Sequence, residues 1–186
     1  MKISKKTIRS LLLMLLVGIF FIPPVAHESK VFLNRILAFS PNTVPSDDRE
    51  PVTDFDWKLK DENWEIFNFK RSEGNVVFVH FWASWKIPSV AEVKSIQKLY
   101  NEFNGKVDFY IITNEMREPV VEFMEENEYS FPVTYLIIGE KMPFDANKVP
   151  SSYIIDKDGL IVVQKEGIAN WYSKDIRDLL ESLIND

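Results

Sequence analysis

The sequence predicts an α/β fold, with a buried central strand leading through a tight turn into a helix. Three observations point to it. The stretch Asn75–Ser89 reads NVVFVHFWASWKIPS, and six of the seven residues Val76–Trp82 are apolar, three of them Val. Such a run fits a strand covered on both faces. After the turn Ala83-Ser84-Trp85, the residues Val93, Ile96, Leu99 and Phe103 recur every three or four positions, the period of a helix buried on one side. Beyond them strand-like and helix-like runs keep alternating to the end of the chain, which is the pattern of an α/β domain.

Composition narrows the chemistry. The 186 residues suffice for one domain of about 130–140 residues and an N-terminal segment. Hydrophobic residues make up 46%, enough for a substantial core. There is no cysteine, so this chain offers no disulfide, thiolate nucleophile or thiolate metal ligand. The two histidines, His27 and His80, lie far apart, so no metal site and no cofactor is expected. Four of the 22 basic residues, Lys2, Lys5, Lys6 and Arg9, fall within the first ten positions. The remaining 18 face 28 acids, a net −10, which argues against nucleic acid as a partner.

In chain order, the basic residues 1–10 and the uncharged run Leu11–Ile22 predict a signal anchor over residues 1–26. The run is about 16 residues when extended to Ala26, at the short end for a membrane span. A cleaved signal is the alternative, although Pro24 and Ala26 make a poor cleavage site and no Cys follows for lipid attachment. The positive residues favour a single-pass topology in a bacterial inner membrane, with the rest facing a periplasm-like space. Residues 27–51 read as an amphipathic segment, Lys30–Phe39, and a linker, Ser40–Pro51. The segment is either a helix lying on the membrane surface or a continuation of the anchor. Residues 52–186 form the domain.

Within it, Asp54–Lys60 alternates Phe55, Trp57 and Leu59 with polar residues, and Trp64–Phe69 alternates less cleanly, which predicts a hairpin. Asn104-Gly105 stops the first helix. Val107–Thr113 is the next strand. Glu118–Asn127 is helical, with Pro119 in its first turn, and its acids Glu122, Glu125 and Glu126, with Glu128 just beyond, form a solvated face. Phe131–Ile138 is strand, and Gly139–Lys148 is a loop. Ser151–Ile155 and Leu160–Lys165 pair around Asp156-Lys157-Asp158-Gly159. Ser173 caps a last helix with Ile176, Leu179, Leu180, Leu183 and Ile184 inward.

The stretch Phe81-Trp82-Ala83-Ser84-Trp85, with Pro88 and Ala91-Glu92, resembles the active-site segment of the TlpA/ResA-like group of membrane-anchored thioredoxin-fold proteins, whose motif is roughly FWASWC-P-P-C-AE. The resemblance covers residues 52–184. It implies a thioredoxin-like fold, a central mixed β-sheet flanked by helices with an N-terminal β-hairpin, and thiol–disulfide oxidoreductase as the family activity. Here Lys86 and Ser89 stand at the two cysteine positions, so the CxxC is vestigial and no catalytic residue is assigned. His80 stands where this fold carries a buried acid that moves protons for the thiols. It is expected to be buried and held by a hydrogen bond. Val149-Pro150-Ser151 matches the family's cis-proline loop, which in this fold faces the helix start and offers backbone groups to an extended peptide.

An ammonium at a helix N-terminus is disfavoured by a few tenths to about 1 kcal/mol. Lys86 therefore reads first as a solvated side chain in a vacated position, and second as an amine nucleophile. Ser89 reads as a first-turn residue bonded to backbone. Trp82 belongs to the core, whereas Trp85 offers a contact platform. The expected function is a redox-inactive module binding an extended peptide or envelope protein through Trp85, Lys86, Ile87, Val149, Pro150 and Ser151. The alternatives are an accessory subunit of envelope thiol-redox or cytochrome-maturation assemblies, and an enzyme using Lys86.

Overall fold

The central strand extends over Val77–Phe81 (β3), and the burial of its side chains decides how the rest is layered. Val77, Val79 and Phe81 point into one apolar cluster and Phe78 into another, so both faces of the strand are covered. The computed structural model describes residues 5–19 and 23–186, except the side chains of residues 5, 15–17, 19 and 23–25. Its elements are α1 (Lys5–Ile19), α2 (Pro23–Ile36), β1 (Lys58–Lys60), β2 (Ile66–Asn68), β3, α3 (Ile87–Phe103), β4 (Asp108–Thr113), α4 (Arg117–Glu126), β5 (Val133–Leu136), β6 (Ser151–Ile155), β7 (Ile161–Glu166) and α5 (Lys174–Asn185).

The seven strands form one mixed sheet in the order β2-β1-β5-β4-β3-β6-β7. β3, β4 and β5 run parallel, and every other pairing is antiparallel. On one side, Val93, Ile96 and Leu99 of α3 pack with Val120 of α4, Leu180 of α5 and Phe78. On the other, Trp57, Leu59, Phe69 and Phe144 cover Val77, Val79 and Phe81. Gly105, with φ of 83°, takes the left-handed conformation that ends α3. The Ser173 hydroxyl accepts the Ile176 N–H at 3.4 Å and starts α5. The expected mixed sheet, flanking helices and N-terminal hairpin are all present.

The hairpin is shorter than its sequence alternation predicts. Trp64 has φ of 66° and takes no part in the ladder, and Asp61 accepts the N–H groups of Asn63 and Glu65 to hold the intervening loop. Only Lys58–Lys60 and Ile66–Asn68 pair, and β1 then adds to the edge of β5.

The N-terminal segment is helical, but the expected membrane span is not shown. α1 has 15 residues, and among the described residues no helix is long and apolar enough to cross a membrane. Residues 20–22 of the expected span lie outside the described residues. The amphipathic segment starts earlier than its sequence pattern predicts, since α2 begins at Pro23. It packs on α3 through buried Val31. The chain beyond it is pinned to the domain. The N–H of Asn170 donates to Phe39 O at 2.9 Å, that of Val44 to Val162 O at 2.8 Å, and that of Ile161 to Glu50 O at 2.9 Å.

Candidate functional site

The turn after β3 is clasped by a residue that follows β4. Glu115 Oε1 accepts the Ser84 N–H at 2.7 Å and the Thr113 hydroxyl at 3.0 Å, while Oε2 accepts the Ser84 hydroxyl at 2.7 Å. This fixes the turn and leaves Trp85 turned outward, 70% exposed. Lys86 is the N-cap residue of α3 and makes no side-chain cap bond; Ile87 and Pro88 form the first helical positions. A proline fits there because it lacks only an N–H that has no partner in the helix. Lys86 and Ile87 are half-buried, and no acid pairs with Lys86 among the described residues.

Ser89 is fully buried, and its hydroxyl accepts the Ala83 N–H at 3.3 Å. No histidine or carboxylate bonds to it among the described residues, so nothing there activates a serine nucleophile. The Val149–Pro150 bond is cis. Lys86, Pro88, Lys148, Val149, Pro150 and Gly167 line one open groove, to which Asn34 of α2 contributes a wall. Of the predicted binding residues, the structure thus brings Lys86, Val149 and Pro150 together. Trp85 and Ile87 flank α3's start outside that lining. Ser151 enters β6 with its side chain buried. The Pro150 carbonyl is taken by the Gly167 N–H at 2.9 Å. The N–H and C=O of Val149 have no hydrogen-bond partner among the described residues.

Beneath the helix start lies a buried polar pair. His80 is fully buried, with Nδ1 2.7 Å from the Ser152 hydroxyl. Its Nε2 faces Glu92 Oε2 at 3.9 Å, and neither atom has a hydrogen-bond partner among the described residues. Glu92 Oε1 accepts the Ala169 N–H at 2.5 Å and the Trp171 indole N–H at 3.2 Å. Burial pushes the Glu92 carboxyl up to about 8, against the pull of these bonds and of Lys165. Burial also holds His80 down at about 3. Both groups are therefore neutral near pH 6, as two ionisable groups without solvent must be unless they pair closely.

Sequence reasoning missed Glu92, Glu115, Ser152 and Trp171 as parts of this arrangement. Glu92 carried a usable signal. It lies one turn after Ser89 on the stripe of Val93, Ile96 and Leu99, so helical spacing alone points it inward. Glu115 and Ser152 carried none, since only the strand register brings them near the turn and His80.

Residues 50–164 match the AhpC/TSA family. The chain is 24% identical over 143 residues to sporulation thiol-disulfide oxidoreductase A of Bacillus subtilis, covering 74% of this chain and 86% of that one. It is 32% identical over 117 residues to thiol-disulfide oxidoreductase ResA of Oceanobacillus iheyensis, covering 61% of this chain and 58% of that one. Among solved structures, a secreted thiol-disulfide isomerase from Corynebacterium glutamicum superposes with a TM-score of 0.61 at 18% identity, over 77% of this chain and 91% of its own. A putative thiol:disulfide interchange protein DsbE from Chlorobium tepidum gives 0.58 at 15% identity, over 79% and 99%. These structural likenesses establish the thioredoxin-like fold.

Proposed function

The chain belongs to the AhpC/TSA family, and from that premise we infer that it is a thioredoxin-like module tethered to a membrane that binds an extended peptide without redox chemistry. The chemical half of the inference needs only composition. Thiol–disulfide exchange requires a thiolate, and this chain has no sulfur nucleophile. Lys86 and Ser89 cannot substitute, because neither side chain forms a reducible bond with a thiol.

The binding half rests on one observation. Val149, in a groove walled by Lys86, Pro88 and Pro150, has an N–H and a C=O without partners among the described residues. Two such groups on one residue are what an added strand requires, and alternate side chains of the peptide then supply specificity. Exposed Trp85 lies at the edge as an apolar platform of the kind that dominates binding energies. Tethering is supported by the basic residues among positions 1–10 ahead of the uncharged run Leu11–Ile22, a charge pattern that favours a domain facing the periplasmic side of a bacterial inner membrane.

The test is site-specific photo-crosslinking of the full chain in its own membrane. A photoreactive residue at position 85 should trap the same defined partner as one at 149. Val149→Pro, which deletes the N–H, should weaken that adduct about tenfold, the size of one lost hydrogen bond. Blank lanes from both positions overturn the binding reading.

A further inference from the structure

α2 and the three residues that follow it, Leu37, Ala38 and Phe39, present two unlike sides. Val31, Asn34 and Ala38 turn toward the domain, and Asn34 also borders the groove. Phe32, Leu33, Ile36, Leu37 and Phe39 turn away, with exposures from 53% to 74%. Water is a poor neighbour for five large apolar side chains on one short segment. Between this segment and α3 lies a cavity of about 430 Å³ walled by Arg35, Lys94 and Lys98, together with Ser95, Asn170 and Tyr172. None of these three cations has a carboxylate partner among the described residues, although the domain as a whole is acidic. Lys94 and Lys98 are also four residues apart on α3, a spacing at which like charges repel. Upstream, α1 exposes Ile8, Leu11, Leu12, Leu13 and Met14.

We propose that α2 seats the domain on an anionic phospholipid bilayer, its apolar face entering the headgroup boundary and the Arg35–Lys94–Lys98 cavity receiving a lipid phosphate. A helix with large apolar residues on one side and cations beside them is the combination that lies in a membrane interface. The occupant is a bilayer because the exposed apolar side chains of α1 precede this segment on the same chain, and the three cations, without carboxylate partners among the described residues, match an anionic surface. Since Asn34 of the same helix walls the groove, the groove opens about one helix diameter, roughly 10 Å, from the headgroups. This inference rests on the tethering half of the proposed function.

The full chain lacks cysteine, so single labels are unambiguous. Leu33→Cys and Leu37→Cys variants carrying an environment-sensitive fluorophore are reconstituted in phosphatidylcholine vesicles with and without phosphatidylglycerol. The control is Glu73→Cys, at the other end of β3 from the site. With phosphatidylglycerol present, lipid-borne quenchers should act at least fivefold more strongly on labels at 33 and 37 than at 73. Charge reversal by Lys94→Glu with Lys98→Glu should abolish the phosphatidylglycerol-dependent part of that difference. Adding inorganic phosphate to phosphatidylcholine vesicles should not reproduce it. Chains that fail to float with vesicles overturn both the tether and this inference. Chains that float with labels 33 and 37 still in water, or with insertion insensitive to the reversal, overturn this inference alone. A response to inorganic phosphate equal to that of phosphatidylglycerol makes the cavity a free-anion site and also overturns it.

Discussion

His80 and Glu92 face each other across 3.9 Å, both fully buried and each with one atom unbonded among the described residues. Their opposite shifts make a prediction about stability. Glu92 titrates near 8 when folded and near 4.5 otherwise, so its contribution is complete below about 4.5 and is lost as pH rises through about 8. His80 titrates near 3 when folded and near 6.5 otherwise, so its contribution is complete above about 6.5 and is lost as pH falls through about 3. Between about 4.5 and 6.5 the folded and unfolded chains hold the same single proton on this pair, and the two slopes cancel. The pair alone therefore gives a plateau over that window and a decline on either side. One proton corresponds to about 1.4 kcal/mol per pH unit. In Glu92→Gln the decline from pH 6.5 to 8 should disappear while the acid decline persists. Urea unfolding across that range reads it out, and an unchanged alkaline slope would place the titrating group elsewhere.

At the scale of elements, the turn between β3 and α3 owes its shape to Glu115. Truncation by Glu115→Ala leaves the Ser84 N–H and two hydroxyls without their acceptor, and should cost about 2 kcal/mol in denaturant unfolding. Because the same turn holds Trp85 outward, the substitution should also broaden Trp85 mobility, seen in fluorescence anisotropy of a variant retaining only that tryptophan. The elements themselves were largely legible. The Val-rich run from Val76 became β3, the stripe of Val93, Ile96, Leu99 and Phe103 became the inward face of α3, and Ser151–Ile155 became β6. Local periodicity decides these, since burial selects period 2 or 3.6. The hairpin was legible in kind and not in extent. Trp64 leaves the ladder through its positive φ, which alternation of residue types does not reveal. Of the candidate site, the helix start and the proline loop were legible from their motifs. The Glu115 clasp was not, because Glu115 is 31 residues from the Ser84 it holds.

For the whole molecule, the question is whether the scaffold survives apart from its sulfur. If it does, Lys86→Cys with Ser89→Cys should install a reducible pair at the head of α3, and the doubly substituted chain should reduce insulin in the presence of dithiothreitol where the natural chain does not. The helix N-terminus that disfavours an ammonium favours a thiolate there, which should hold the thiol at 86 below the usual cysteine range. Failure to form the disulfide under mild oxidation would mean the turn has drifted away from exchange geometry. Alkylation of the two thiols followed by mass measurement settles the point.

By itself the sequence determined that this chain carries no thiol and what its segments are. Folding adds no cysteine, and periodicity is a local property that each segment carries alone. Only the tertiary structure decided that His80 meets Glu92, that Glu115 holds the turn, and that α2 walls the groove with Asn34 while its large apolar side chains stay exposed. Each of these joins residues with no fixed spacing in the chain. Strand register and helix packing choose such partners, and those depend on the whole core settling at once.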